Sequence, residues 1–263
     1  MTAPRLVATD LDGTLVRRDQ TVSERTRRAI AAVEAAGVPF VMVTGRPVRW
    51  MPPVAEASGH RGLAVCANGA LLYDLHTEQL VRSYLLTADD ALEVVEALRR
   101  EVPGITFAVE RGDLSFGREP SYVPRWDNGE VQVAELDELL SGDVVKLLAR
   151  LEGTGSDDLL ARARAAVGHL AETTHSSDDG LLEISAFGIS KASGLAAVAA
   201  EHGVVASQVV AFGDMPNDLP MLAWAGHAVA VANAHPEVLA LADEVTSSNE
   251  DDGVAAVLER FFP

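Results

Sequence analysis

Leu6-Val7-Ala8-Thr9-Asp10-Leu11-Asp12-Gly13-Thr14-Leu15 joins a short apolar run to two carboxylates one residue apart and then to a glycine. The run Leu6 to Thr9 has the length and composition of a strand buried on both faces. Gly13 lets the backbone turn sharply where that strand ends. Two carboxylates at such a strand end repel each other unless a cation or a proton lies between them. Read alone, the stretch fits an exposed acidic turn as well as it fits a site.

Phe40 to Val43, Leu63 to Cys66, Val209 to Phe212 and Ala228 to Val231 repeat the pattern. Each apolar run ends in a polar or glycine-rich turn that leads toward a helical pattern, which is the signature of a parallel α/β sheet. Ser23 is placed to cap a helix containing Ala29, Ile30 and Val33, with Gly37 as its stop, and Ala192 to His202 reads as a helix stopped by Gly203. The middle, Leu80 to Ser185, has a different grammar. Thr87 with Asp90 caps a helix carrying Ala91, Val94, Val95, Leu98 and Val102; Ile105 to Val109, Val144 to Ala149 and Leu181 to Ile184 read as strands. A helix is predicted over Asp157 to Leu170, and hairpins over Gly104 to Pro124. The expected fold is α/β: a Rossmann-like parallel sheet with helices on both faces, formed by 1–80 and 186–263, with an α+β domain inserted over 81–185.

The 263 residues carry 39 acidic and 21 basic side chains, a net charge of −18, and 48% apolar residues. That apolar content excludes general disorder, and the charge argues against nucleic acid as a partner. The lone cysteine, Cys66, has no partner for an internal disulfide, and the apolar stretch within Met1 to Asp10 is too short for a signal peptide. Leu219 to Pro236 lacks Asp, Glu, Lys and Arg, but Pro220, Gly226, His227, Asn233, His235 and Pro236 argue against a membrane span. A cytoplasmic setting, with no membrane partner, is the expectation. Oligomeric state is not written in the sequence.

The second acidic stretch, Gly213-Asp214-Met215-Pro216-Asn217-Asp218, again follows an apolar run. In an open parallel sheet such strand ends open onto one edge, so the two clusters are expected to meet there. A few carboxylates plus water and phosphate suit Mg²⁺. Asn217 and Asp218 are also placed to cap a helix through Leu219, Met221 and Leu222. Thr44-Gly45-Arg46 follows the second strand, where Thr44 and backbone amides suit an anion; Arg46 reads as a substrate contact or a surface ion pair. Lys191 opens a helix, and the only other lysine in the chain is Lys146.

Taken together, Asp10-Leu11-Asp12-Gly13-Thr14, Thr44-Gly45-Arg46, Lys191 and Gly213 to Asp218 resemble the ordered motifs of the haloacid dehalogenase superfamily. The long insert after Cys66-Ala67-Asn68-Gly69-Ala70 resembles the large cap of its Cof-like branch. Ala192 departs from the glycine that many relatives carry after the lysine, which bears on how the helix starts. The resemblance implies a Mg²⁺-dependent phosphatase of small phosphate monoesters, with sugar or polyol phosphates favoured. It implies Asp10 as the nucleophile forming an aspartyl-phosphate, and Asp12 as the acid that protonates the departing alcohol and then deprotonates water. Mg²⁺ would be held by Asp10, the backbone carbonyl of Asp12 and Asp214, with Asp218 in supporting reach. Thr44 and Lys191 would hold phosphate oxygens, with Gly45, Arg46 and Asn217 as further substrate contacts. Glu183, Asn68 and the turn Arg111 to Glu119 are candidates to line the enclosure under the cap, although ion pairing and turn formation explain them equally well. A phosphomutase of the same superfamily and a non-catalytic phosphate-binding module are the alternative readings.

Overall fold

The computed structural model describes residues 3–126 and 129–263, so the first two residues of the Met1 to Asp10 stretch lie outside it. From the N-terminus, β1 (Leu6–Thr9) leads to α1 (Glu24–Ala35), β2 (Phe40–Val43), α2 (Met51–Ser58) and β3 (Leu63–Cys66). The Ser23 hydroxyl caps α1 by accepting from the Thr26 amide at 3.0 Å, and Gly37 follows its end at φ 72°. An antiparallel hairpin follows, β4 (Leu71–Asp74) and β5 (Gln79–Ser83). Its second strand is exposed along its whole length and so lacks the apolar alternation by which a strand is read from sequence.

The chain forms two compact units, the residues up to Arg82 with Ser190–Pro263, and Ser83–Ile189. The second unit holds α3 (Ala88–Glu101), β6 (Thr106–Arg111), β7 (Phe116–Arg118), β8 (Val131–Val133), α4 (Leu136–Leu139), β9 (Val144–Arg150), α5 (Ser156–Val167), β10 (Ala171–Thr174) and β11 (Leu181–Ala186). Its six-stranded sheet runs β10-β11-β9-β6-β7-β8, with β6, β9, β10 and β11 antiparallel to their neighbours. Thr87 caps α3 by accepting from the Asp90 amide at 3.1 Å. Helices α3 and α5 pack Val94, Val95, Leu98, Leu159 and Ala163 onto Phe107, Val109, Leu147, Ala149, Leu182 and Ile184. The expected helix over Asp157 to Leu170 ends earlier, at Val167, because Gly168 closes it by donating to Arg164 O at 3.0 Å.

Returning to the first unit, the chain adds α6 (Lys191–Glu201), β12 (Val209–Gly213), α7 (Leu219–Trp224), β13 (His227–Val231), α8 (Pro236–Leu241), β14 (Glu244–Thr246) and α9 (Gly253–Phe261). The eight-stranded sheet has the order β14-β13-β12-β1-β2-β3-β4-β5. Strands β14 through β3 in that order are mutually parallel. One sheet face buries Leu6, Ala8, Val41, Val43 and Ala211 against Leu195 and Val198 of α6, Met221 and Leu222 of α7 and Val238 of α8. Alternation along the strands sends Val7, Met42 and Val210 to the opposite face, where α1 packs on β2, α2 and α9. From β1 the chain winds outward to β2 and β3 on one side and from β12 to β13 and β14 on the other. The order therefore reverses between β1 and β12, at the edge where open α/β sheets bind ligands.

Candidate active site

Asp10 and Asp214 sit just past the C-terminal ends of β1 and β12, on either side of that reversal. Register does the joining: β1 pairs with β12 from Leu6↔Val209 to Thr9↔Phe212, and the Asp10 amide donates to Phe212 O at 2.9 Å. Carboxylate oxygens of Asp10, Asp214 and Asp218 lie within 4.8 Å of one another, and all three residues are buried. The two acid clusters, about 200 residues apart in sequence, thus meet as a parallel sheet requires.

Lys191 is the counter-charge. Its side chain is 0% exposed, and its Nζ donates to Asp10 Oδ1 and Asp218 Oδ1 at 2.6 Å each. Burial alone would favour the neutral amine, but Asp10 and Asp218 together hold the ammonium above its ordinary pKa. Helix α6 starts at Lys191 on a capping box: Ser190 Oγ accepts from the Ser193 amide at 3.4 Å and Ser193 Oγ from the Ser190 amide at 2.9 Å. Ala192 leaves that start intact. Gly69, at φ 104°, lies so near Ser190 that a Cβ there would overlap the Ser190 carbonyl oxygen.

One ammonium does not neutralise three carboxylates. Burial, reinforced by Asp218 and Asp12, pushes the Asp10 carboxyl up to about 7 despite Lys191. Burial, with repulsion from Asp10 and Asp218, pushes Asp214 up to about 9. The cluster therefore binds either protons or a cation, and its hard oxygen donors fit a divalent metal ion. Asp218 is already heavily engaged: its Oδ2 accepts from the Asp214 and Met215 amides, both at 3.0 Å, while its Oδ1 accepts from Lys191. It braces the loop rather than capping α7, and its side chain makes no capping bond there. Asp214 Oδ1 accepts from the Thr14 hydroxyl at 2.9 Å.

Gly13 makes this approach possible. It has φ +81°, and a Cβ at that position would overlap Asp214 Oδ2. Gly13→Ala is expected to cost about 1–3 kcal/mol from the left-handed backbone alone. Displacement of Asp214 should add to this and weaken stabilisation by a divalent ion, which thermal unfolding with and without such an ion would measure.

The remaining predicted residues divide. Asp12 turns its carboxylate out of the cluster toward Arg46, whose Nε donates to Asp12 Oδ2 at 2.7 Å while Nη2 reaches Oδ1. Arg46 thus makes an ion pair, one of the two readings of that residue. Thr44 is buried, and its hydroxyl accepts from the Arg46 amide at 3.0 Å across Gly45. Asn217 does not cap α7; its Nδ2 donates to Asn68 Oδ1 at 3.1 Å. Asn68 sits at φ 55°, with its amide on Thr44 O at 3.0 Å, and the other side-chain amide atoms, Asn68 Nδ2 and Asn217 Oδ1, are buried and have no hydrogen-bond partner among the described residues. In the second unit, Glu183 accepts from Lys146 at 2.7 Å, and both side chains are buried. Glu119 accepts from the Phe107 amide at 2.7 Å and pairs with Arg99, bracing the end of its hairpin.

Sequence reasoning missed several supports. Thr14 orients Asp214, a role its place in the motif does not reveal. Asn233 Nδ2 donates to Gly13 O and Asn249 Nδ2 to Val16 O, at 2.8 and 2.9 Å, so loops after β13 and β14 hold the turn after β1. No local signal marks either asparagine, because each acts across more than 200 residues of chain.

The model of the haloacid dehalogenase-like hydrolase family matches residues 7–258. The chain belongs to that family. It is 30% identical over 268 residues to 5-amino-6-(5-phospho-D-ribitylamino)uracil phosphatase YitU of Bacillus subtilis, covering 99% of this chain and 98% of that protein. It is also 30% identical over 266 residues to pyridoxal phosphate phosphatase YbhA of Escherichia coli, covering 95% and 96% of the two chains. Among solved structures, SMU.1108c from Streptococcus mutans superposes with a TM-score of 0.84 at 20% identity over 98% of this chain and 99% of that one, a likeness of fold. Among the described residues of this family member, no helix is long and apolar enough to cross a membrane.

Proposed function

We propose that this protein hydrolyses small phosphate monoesters through an aspartyl-phosphate on Asp10, in the cytoplasm and with Mg²⁺ as its cofactor. The observation that carries the reading is the convergence of Asp10, Asp214 and Asp218 around Lys191 at the sheet's reversal point. Asp10 and Asp214 would hold the ion, joined by the Asp12 backbone carbonyl, with Asp218 supporting through its grip on the 214–215 backbone. Bound there, the ion neutralises charge between two anionic reactants.

The chain's own groups do the rest. Lys191 holds the Asp10 carboxylate and, with Thr44, receives the non-bridging oxygens of the phosphoryl group. Gly45, Arg46 and Asn217 complete the substrate contacts. An Asp10 oxygen attacks phosphorus; the ester P–O bond breaks, and Asp12 gives its proton to the departing alkoxide. Asp12 then takes a proton from water, whose oxygen attacks phosphorus; the bond to Asp10 breaks and inorganic phosphate leaves. The second unit, as an inserted cap over the expected 81–185, would select the leaving group.

Sugar or polyol phosphates are favoured, in keeping with the phosphorylated ribityl group in the name of one relative. The test is phosphate release across purified sugar, polyol, nucleotide and cofactor phosphates with Mg²⁺. The expected result is the highest kcat/KM among the sugar and polyol esters. Release from none of them would end the proposal, and isomerisation without release would replace it with a mutase.

A further inference from the structure

The tight loop that follows the Asp10–Leu15 turn ends in an unusual residue. The Arg17 amide donates to Thr21 O and the Gln20 amide to Arg17 O, each at 3.0 Å, closing a tight loop of Arg18, Asp19 and Gln20. Gln20 ends it at φ 67°, in the left-handed region, a position where glycine or asparagine carries little strain and glutamine carries more. The loop is stiffened locally by Asp19 Oδ1, which accepts from the Thr21 amide at 3.0 Å and the Thr21 hydroxyl at 2.6 Å. It is also tied to the rest of the unit, with Arg17 Nη2 on Asp252 Oδ1 and the Arg18 amide on Glu250 Oε1, both at 2.8 Å.

What the glutamine adds, and glycine would not, is a side-chain acceptor. Gln20 Oε1 accepts from Arg46 Nη2 at 2.5 Å, and the same nitrogen reaches Asp12 Oδ1. The Arg46 side chain is 12% exposed, whereas that of Asp12 is 53% exposed. A carboxylate so open to water needs an external hold to keep one rotamer, and the planar fork of Arg46 supplies it. That fork in turn is fixed at Nη2 by Gln20.

We propose that Gln20 is a positioning residue: it fixes the Arg46 guanidinium, and through it the Asp12 carboxylate. The proposal rests on the assignment of Asp12 as the proton donor to the leaving group. Asp12 matters most when the departing alcohol is basic, so a misplaced Asp12 penalises alkyl esters and spares esters whose phenolate leaves without a proton.

The experiment compares kcat/KM of the parent, Gln20→Gly and Gln20→Glu on glycerol 2-phosphate and 4-nitrophenyl phosphate with Mg²⁺, together with Tm. Gln20→Gly relieves the backbone, so its Tm should equal or exceed that of the parent. Its kcat/KM on the alkyl ester should fall about tenfold, a fraction of what general acid catalysis contributes, and on the aryl ester by no more than about twofold. Gln20→Glu keeps an acceptor for Nη2 and should recover most of the alkyl activity. An unchanged alkyl rate, an equal loss on both esters, or a glutamate variant no better than glycine would each overturn the proposal. A parent that hydrolyses neither ester would instead remove the phosphatase reading on which it stands.

Discussion

Asp10→Asn should abolish turnover of 4-nitrophenyl phosphate, with a loss on the order of 10³–10⁶-fold, the range seen when a covalent nucleophile is removed. The substitution is nearly isosteric and keeps an oxygen to accept from Lys191, so the fold and its Tm should survive. Asp12→Asn should behave differently. A nitrophenolate leaves unaided, so Asp10 can still be phosphorylated once; without Asp12 to deprotonate water, the phosphoenzyme then persists. Rapid mixing should show a burst of about one nitrophenol per Asp12→Asn molecule followed by slow turnover, and no burst for Asp10→Asn. Undiminished turnover by the Asp10 variant would exclude it as the nucleophile. Absence of a burst in the Asp12 variant would separate Asp12 from the hydrolytic step.

Spacing alone does not distinguish the two neighbouring aspartates, whereas their surroundings differ. Asp10 is drawn into the buried cluster, on Lys191, while Asp12 is turned toward Arg46 and solvent. The sheet was legible because its parallel strands are short apolar runs punctuated by turns, and parallel pairing leaves their ends on one edge. Hence the runs beginning at Leu6 and Val209 imply the meeting of Asp10 with Asp214 from sequence alone. The hairpin β4–β5 escaped because β5 is wholly exposed and has no apolar face to betray it. Gln20, Asn233 and Asn249 escaped for another reason. Their roles depend on side chains reaching across loops distant in sequence, and an isolated Gln or Asn between polar neighbours is typical of any surface turn. Glu183 is a converse case: its partner, Lys146, lies on a neighbouring strand whose register the sequence did not specify.

The second large effect is a stability that falls with rising pH in the ion-free protein, and a stabilising increment from a divalent ion that grows as it falls. In the ion-free protein burial pushes Asp10 up to about 7 and Asp214 up to about 9, against 3.8 when unfolded. Between these values the native state retains protons that the unfolded chain has released. The stability these carboxyls confer is therefore complete below about pH 4 and is lost as pH rises through about 7 for Asp10 and about 9 for Asp214. Asp179 and Asp252, held low by hydrogen bonds and arginines despite partial burial, work in the other direction, but their contribution is lost only on acidification below the ordinary carboxylate range. Lys191 is raised above its usual value and titrates beyond the alkaline end. The interval from pH 5 to 9 thus isolates the acidic cluster among these shifted groups. Melting in EDTA should give a Tm that falls across that interval. A divalent ion such as Mg²⁺, bound there, would take the place of the protons, so its stabilising increment should be small at pH 5 and grow steadily to pH 9. Asp214→Asn should flatten the fall above pH 7 and shrink the Mg²⁺ increment. An increment independent of pH, or an ion-free Tm that climbs from pH 5 to 9, would mean that protons and metal do not compete for these carboxylates.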